Sequence, residues 1–276
     1  MNIKYLILCI LCILCILSVI LVFFLIKNSK TYKHKNILKD TYKSSIFNTD
    51  VIPKKVIQTY FDISKIPQKV YNNMDIYANG FEHIIYDDNS ALSFLDEFYS
   101  KDVVEAFNKL KHGAHKADLL RYCLLYIYGG IYLDIKTELI APLIDIFYSN
   151  SNIDIYVVLM HGKDGIYNGV IATKPQNKIF LELIDHILHI TYTKSKIPYL
   201  IFVKHFLIVL SSNIKTSITL SKTLNSKFGR VYFFNEICIK NDSDCPDGLD
   251  RYGFCCYIYD NNKKIIKVRY SDYPWK

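Results

Sequence analysis

The segment from His115 to Asp134 constrains the fold of this chain more than any other. Its apolar residues recur at helical spacing, which predicts a helix over 112–128. Gly129 and Gly130 then end the helix, as glycine commonly does at a helix C-terminus. An apolar tripeptide follows, and Asp134 stands directly after it. A helix that turns tightly into a short buried strand is typical of an α/β domain.

The rest of the chain from residue 51 alternates in the same way between strand-like and helix-like segments. We predict strands at 51–60, 81–86, 131–133, 153–160, 231–239, 255–259 and 265–269, and helices at 69–79, 91–110, 112–128 and 178–191. This alternation indicates an α/β fold with a largely parallel sheet. Ligands of such sheets bind beyond the carboxyl ends of the strands, which is where Asp134 is expected.

An uninterrupted apolar run at 5–26 precedes this domain. As a helix it would be about 33 Å long, enough to span the hydrocarbon core of a bilayer. A cleaved signal peptide would have a shorter apolar stretch and a small-residue cleavage site, and neither is visible. The sequence therefore predicts a short tail at 1–4, a single-pass anchor at 5–26, a Lys-rich stem at 27–50 and a catalytic domain at 51–276.

The charge of the chain is concentrated next to the predicted anchor. Most of the formal net charge of +8 comes from lysines that precede residue 44, so the domain itself is nearly neutral. A nucleic-acid-binding domain should carry a basic stripe on its own surface. The composition therefore argues against nucleic acid as a partner and favours a membrane.

Asp118 and Arg121 are three residues apart on the predicted helix, so they share one face. An exposed pair of this kind would contribute only about 0.5 kcal/mol and would need no function. The rest of the helix is almost uncharged, however, and it leads directly to Asp134. A buried functional pocket and an ordinary ion pair are both compatible with this pattern.

Four blocks of the sequence together resemble a known family, the sugar transferases that contain a D-x-D motif. These blocks occur in order at 52–60, 86–88, 117–134 and 167–175, and the closing residues 273–276 are similar to terminal tryptophan segments of such enzymes. Golgi initiating α-mannosyltransferases and the glucosyltransferase domains of large bacterial toxins typify the family. The resemblance covers 51–180, and the C-terminal third matches poorly.

The resemblance implies a GT-A-like fold, which is a Rossmann-like mixed sheet flanked by helices. It also implies transfer of a hexose from a UDP- or GDP-sugar to a glycan or protein acceptor, with retention of anomeric configuration. Asp134 would hold a divalent metal, Mn²⁺ or Mg²⁺, on the diphosphate. The implied substrate-binding residues are Asp118 and Arg121 on the donor sugar, Gln58, Thr59 and Tyr60 near the base, and Asn168 and Trp275.

One position departs from the family pattern, because Lys136 stands where a second aspartate is expected. Residues two apart on a strand share a face, so an ammonium would point where a carboxylate should. Hard cations require oxygen ligands. Three hypotheses stay open: Glu138 supplies the missing carboxylate, Lys136 itself stabilises the leaving diphosphate, or the protein is a non-catalytic module that binds nucleotide sugar or glycan.

The side of the membrane on which the domain lies is also open. The lysines after the anchor favour the cytosol by the positive-inside rule, whereas the family resemblance implies a lumen. A Cys238–Cys245 disulfide and a glycosylation sequon at Asn241 would both require a lumen.

Overall fold

The computed structural model describes residues 36–39, 41–42, 49–150, 152–243 and 253–269. The predicted anchor, most of the predicted stem and Trp275 lie outside these residues. Within the described ranges, no helix combines the length and the apolar character needed to cross a membrane.

The described residues form ten β-strands and seven α-helices. The strands are β1 (Lys55–Thr59), β2 (Glu82–Tyr86), β3 (Gly130–Leu133), β4 (Glu138–Leu139), β5 (Ile155–Leu159), β6 (Val170–Thr173), β7 (Thr223–Ser226), β8 (Gly229–Lys240), β9 (Phe254–Asp260) and β10 (Lys263–Lys267). The helices are α1 (Gln68–Tyr77), α2 (Asp88–Phe98), α3 (Lys101–Lys109), α4 (Gly113–Tyr128), α5 (Leu143–Phe147), α6 (Ile179–Thr193) and α7 (Ile201–Ser211).

All ten strands belong to one mixed sheet with the order β2-β1-β3-β6-β5-β8-β9-β10-β4, and β7 pairs with β8. The prediction of a largely parallel sheet is wrong. Only β1–β2, β1–β3 and β5–β8 are parallel pairs, while β6 runs antiparallel to both of its neighbours and β8, β9 and β10 form a meander. The β9–β10 turn places Asn261 and Asn262 at positive φ, which suits a tight hairpin.

Despite the mixed pairing, β1, β2, β3, β5 and β8 all point the same way. β3 and β5 are each antiparallel to β6, so they are parallel to each other. The carboxyl ends of these five strands therefore meet at one edge of the sheet, which we call the carboxyl edge. The opposite edge is called the amino edge.

The sheet separates two apolar layers. Alternate residues of β3 face opposite sides, with Tyr132 in one layer and Ile131 and Leu133 in the other. The Tyr132 layer packs against α2, α3, α4, α6 and α7, and the other layer contains α1 and α5. Helix α4 lies in the middle of the larger layer, which explains why its sequence is apolar nearly all round.

The structure gives the cysteines a different pairing from the predicted one. Cys238 and Cys256 lie opposite each other on β8 and β9 and form a disulfide. The predicted Cys238–Cys245 pair is wrong, because the register of the two strands brings Cys256 to Cys238 instead. Cys255 is disulfide-bonded as well, and Cys123 is the free cysteine of the described residues.

Candidate active site

A network of buried charged side chains lies at the carboxyl edge and is centred on Arg121 of α4. The Arg121 guanidinium lies 3.5 Å from the Asp118 carboxylate and 3.2 Å from that of Asp134. It also packs over the Tyr132 ring, 4.4 Å from the ring centroid. Since the Arg121 side chain is only 5% exposed, the charges must be paired here, and the ordinary surface ion pair considered for these residues is excluded.

The loop that enters β6 closes this network. The Asn168 side chain donates a hydrogen bond of 2.9 Å to Asp118, and the Asn168 carbonyl accepts one from Arg121. The Gly169 carbonyl accepts from the Asp134 amide at 2.8 Å. A Cβ atom at Gly169 would lie only 2.7 Å from the Asp134 carboxylate and would collide with Tyr167. The close approach of loop and strand therefore requires glycine.

The two aspartates of the network have pKa values shifted in opposite directions. Burial raises the pKa of Asp118, although Arg121 and Asn168 favour its charged form. Burial also acts against the charge of Asp134, but Arg121 and Lys136 outweigh it and hold the pKa of this carboxyl below its ordinary value. Asp134 is therefore firmly ionised at neutral pH.

The chain turns immediately after Asp134, where a continued strand had been expected. The Thr137 amide donates to the Asp134 carbonyl at 2.8 Å, which closes a β-turn. Within this turn, the Lys136 ammonium lies 3.6 Å from the Asp134 carboxylate. Lys136 therefore lies beside Asp134, as predicted, but a turn places it there and not a continued strand.

Glu138 lies beyond this turn, in β4. Its carboxylate is 3.7 Å from the Lys267 ammonium, and it lines neither of the cavities described below. The premise that placed it beside Asp134, a strand running on through residue 138, is wrong.

Two cavities meet at the network. One, of about 480 Å³, lies beside the ends of β1 and β2 and is lined by Thr59, Tyr60, Phe61 and Asp87. We call it the β1 cavity. The other, of about 430 Å³, is lined by Asp118, Tyr167, Asn168 and Glu236, and we call it the β8 cavity. Arg121, Asp134, Lys136 and Tyr199 contribute to both. Both volumes are in the range of small-molecule sites.

The three residues predicted to lie near a nucleotide base are divided by the structure. Thr59 and Tyr60 line the β1 cavity. Gln58 is fully buried and lies behind the site, where its side chain donates to the Asp134 carbonyl at 3.4 Å and accepts a 2.7 Å hydrogen bond from His83 Nε2. Gln58 therefore stabilises the backbone at Asp134 and lines neither cavity.

Sequence reasoning missed two residues of the site. Glu236 lies in a strand that was predicted for its apolar residues, and nothing in the local pattern distinguishes its carboxylate. Tyr199 lies in the loop before α7, a helix that was not predicted at all. Both come from the C-terminal half, where the sequence lacks the motif blocks that identified the other residues.

Part of the chain is similar to a family of known proteins. Residues 27–159 match the family described as the glycosyltransferase sugar-binding region containing a DXD motif. The resemblance to D-x-D sugar transferases is confirmed.

Individual relatives cover only part of the chain. An uncharacterized glycosyltransferase of Acanthamoeba polyphaga mimivirus is 30% identical over 131 residues, which are 48% of this chain and 52% of the relative. The initiation-specific α-1,6-mannosyltransferase of Saccharomyces cerevisiae is 33% identical over 103 residues, 33% of this chain and 21% of the relative. The chain thus spans about half or less of these relatives. The solved PaToxG glycosyltransferase is similar with a TM-score of 0.43 and 14% identity, over 59% of this chain and 69% of that one.

Members of D-x-D families commonly use a divalent metal, but the residues at this D-x-D position fit one poorly. Asp134 is the single carboxylate of the variant motif, and cations contact it from two sides, Arg121 at 3.2 Å and Lys136 at 3.6 Å. A hard cation requires several oxygen ligands and would be repelled by these two charges. Within the described ranges, one group of potential ligands is close enough to share an ion, Glu236 with Cys238 and Cys256. Its two sulfur atoms are joined in the disulfide.

Proposed function

We propose that this protein is a glycosyltransferase that moves a hexose from a UDP- or GDP-sugar to a hydroxyl group of a glycan or protein acceptor. The observation that carries the proposal is the buried network of Asp118, Arg121, Asn168 and Asp134 at the meeting point of two cavities. Ligands of α/β sheets bind at this edge. The family match supports the same assignment.

The donor would lie across the two cavities. The β1 cavity, with Phe61 exposed and Tyr60 half-buried in its wall, suits a nucleoside, since its base can pack against aromatic rings. The β8 cavity contains Asp118 and Asn168, which suit sugar hydroxyls because carboxylates and amides accept their hydrogen bonds. The diphosphate would then cross the shared wall beside Lys136 and Arg121.

In the proposed reaction, an acceptor hydroxyl oxygen forms a bond to the anomeric carbon. The bond between that carbon and the diphosphate oxygen breaks, and its electron pair leaves with the nucleoside diphosphate. The hydroxyl proton passes to the departing phosphate oxygen, which permits attack from the same face. We therefore expect retention, as the resemblance implies, and proton NMR of the product would detect it.

Lys136 and Arg121 would supply the positive charge that the departing diphosphate needs. Both line the shared wall, and in a partly buried site fixed charges stabilise a developing anion strongly. Asp134 would orient them, since it contacts both. No step of this scheme requires a metal.

A second function is favoured by one specific observation. The Lys136–Asp134 ion pair occupies the D-x-D position, so the protein could bind nucleotide sugar without turning it over. Such a module would keep donor affinity through Asp118 and Arg121. It would release no free sugar.

Donor hydrolysis distinguishes the two functions. The full chain in detergent would be incubated with UDP-glucose, UDP-galactose or GDP-mannose, with Mn²⁺, Mg²⁺ or EDTA, and released sugar would be measured. Turnover that is lost in Asp134→Asn and kept in Asp154→Asn, the same change at the amino edge, supports the transferase. Binding without turnover for any donor supports the module, and absence of both overturns the proposal.

We also propose that the domain lies on the lumenal side of a membrane. Two observations support this side over the cytosol: Cys238 and Cys256 form a disulfide, and the sequon residue Asn241 is exposed. Treatment of the protein from its host with a peptide N-glycosidase should then increase its electrophoretic mobility. Unchanged mobility, together with freely alkylated cysteines, would contradict the proposed side.

A further inference from the structure

Glu236 lies in the candidate site, at the end of a row of core residues on β8. On β8, alternate side chains share a face, and Tyr232 and Phe234 pack with the apolar layer beneath the sheet. Glu236 is the next residue of this row. Its neighbour Asn235 pairs with Leu159, the last residue of β5, so Glu236 lies at the carboxyl edge, in the wall of the β8 cavity.

The Glu236 carboxylate has hydrogen-bonding capacity that the protein does not use. The residue is 7% exposed. Within the described part of the chain, its side chain has one hydrogen bond, in which the His161 amide donates to Oε2 at 3.1 Å. A carboxylate can accept about four. Lys136 attracts it electrostatically, but no ion pair within 4 Å is formed among the described residues.

A buried carboxylate with one partner is costly, and an apolar side chain would continue the row of Tyr232 and Phe234 at lower cost. The presence of a glutamate at position 236 is therefore explained most simply by a ligand that fills the remaining acceptor positions of its carboxylate. A hydroxyl group is a ligand that suits these positions, because it donates a hydrogen bond to the carboxylate and adds no charge to a cavity whose lining already balances three acidic with three basic side chains.

We propose that Glu236 binds the acceptor, by accepting a hydrogen bond from a hydroxyl of the incoming sugar or polyol. The proposal rests on the proposed transferase function and adds the location of its acceptor. Asp118 and Asn168 form the α4 side of the β8 cavity and would hold the donor sugar, whereas Glu236 stands on the β8 side. For retention, the acceptor hydroxyl held there must approach the anomeric carbon from the face that carries the diphosphate, beside Lys136 and Arg121.

The test separates transfer to an acceptor from transfer to water. The full chain in detergent would be given its best donor with methyl α-mannoside or myo-inositol as acceptor probes, and both product and free sugar would be measured. We expect Glu236→Gln to lower kcat/KM for the acceptor roughly 10- to 100-fold, as loss of a charged hydrogen bond should. Donor hydrolysis should stay within about threefold, because the donor wall is untouched.

Two further variants and one binding measurement complete the design. Glu236→Asp should recover part of the acceptor kcat/KM, which a purely structural role would not predict. Glu182→Gln, the same change at an exposed residue of α6 that lies outside both cavities, should match the wild type. Saturation-transfer NMR would monitor binding of methyl α-mannoside in the presence of UDP or GDP. This binding should be lost in Glu236→Gln, and the measurement does not depend on how fast the protein turns over donor.

The outcomes distinguish this inference from the function on which it rests. If Glu236→Gln transfers sugar to the acceptor as fast as the wild type, the acceptor role is overturned and the transferase proposal is unaffected. Equal losses of hydrolysis and transfer would assign Glu236 to the donor and also overturn it. A wild-type protein that neither hydrolyses donors nor binds the probes would remove both proposals together.

Discussion

Two aspartates of this sheet have nearly the same ionic partners but lie at opposite edges. At the carboxyl edge, Asp134 lies between Arg121 and Lys136. At the amino edge, Asp154 lies between Lys174, at 2.6 Å, and Arg230, at 3.3 Å. Both carboxyl groups have pKa values below the ordinary one.

The surroundings of the two carboxylates differ. The backbone amide of Arg230 donates to Asp154 at 2.7 Å, and Gly229 packs so closely that a Cβ there would lie 2.6 Å from the carboxylate. Asp154 lines neither of the two cavities, whereas Asp134 lines both. A carboxylate between two cations is therefore not in itself a site, and its location at the carboxyl edge beside open volume is what supports a function here.

The largest effect should come from Asp134→Asn. This change keeps the shape of the side chain but removes the charge that orients Arg121 and Lys136. We expect kcat for donor hydrolysis to fall roughly 10³-fold, in the range found when a preorganised electrostatic group is lost. Asp154→Asn should keep wild-type kcat, and a comparable loss in both variants would mean that the two edges are not functionally different.

Arg121→Lys should have the next largest effect, on stability. A lysine cannot contact Asp118, Asp134 and the Asn168 carbonyl together, so buried acceptors lose their partner. We expect the free energy of unfolding to fall by about 3 kcal/mol, measured by urea denaturation. Arg230→Lys is the matched change at the amino edge, where the side chain is 39% exposed. It should cost less than about 1 kcal/mol, and equal costs would contradict the contrast in burial.

Lys136→Gln tests whether this cation has a role beyond ion pairing. If it stabilises the leaving diphosphate, kcat should fall roughly 10- to 100-fold, with EDTA having no effect in either protein. Lys136→Asp should then respond to Mn²⁺, because it restores two carboxylates. Lys174→Gln, the equivalent change beside Asp154, should leave kcat unchanged. Full activity of Lys136→Gln would eliminate the proposed role.

The smallest effect should be the loss of stability caused by Asp154→Asn, and this loss should depend on pH. Burial disfavours the charge of Asp154, but the Arg230 amide and Lys174 outweigh it and lower its pKa. A lowered folded-state pKa stabilises the protein above the ordinary value of about 4, and this contribution is lost as the pH falls through the lowered pKa. The variant should be less stable by about 1 kcal/mol at pH 7, and the difference should shrink as the pH falls below about 4. A difference that does not change with pH would exclude the charge as its cause.

Local patterns in the sequence predicted much of the N-terminal half. The helix at 112–128 is observed as Gly113–Tyr128, and the predicted strand at 81–86 as Glu82–Tyr86. Asp118, Arg121 and Asp134 were selected from one continuous segment, and the structure brings them together. In each case the information lies within a few residues, in periodicity, capping or a glycine turn.

What could not be predicted depends on pairing between distant segments. The antiparallel strand β6, the partner of Cys238 and the position of Glu236 all follow from strand order and register, which no local pattern specifies. The turn after Asp134 is a local feature, but Ile135-Lys136 lacks the glycine, proline or asparagine that usually signals one. The third hypothesis for Lys136 is that the protein has lost catalysis. Strand order and register do not determine whether a site turns over its ligand, so this hypothesis stays a prediction.

The Cys238–Cys256 disulfide has a practical consequence for anyone who prepares this protein. Cys256 lines the same β8 cavity as Glu236, so the bridge is part of the wall on which an acceptor would rest. A bacterial cytosol keeps thiols reduced, and protein made there would carry an unbridged wall while retaining Asp134 and Arg121. If the proposals for Asp134 and Glu236 hold, such material would show donor turnover but weak transfer, and an apparent hydrolase from a routine expression host would reflect the host's redox state.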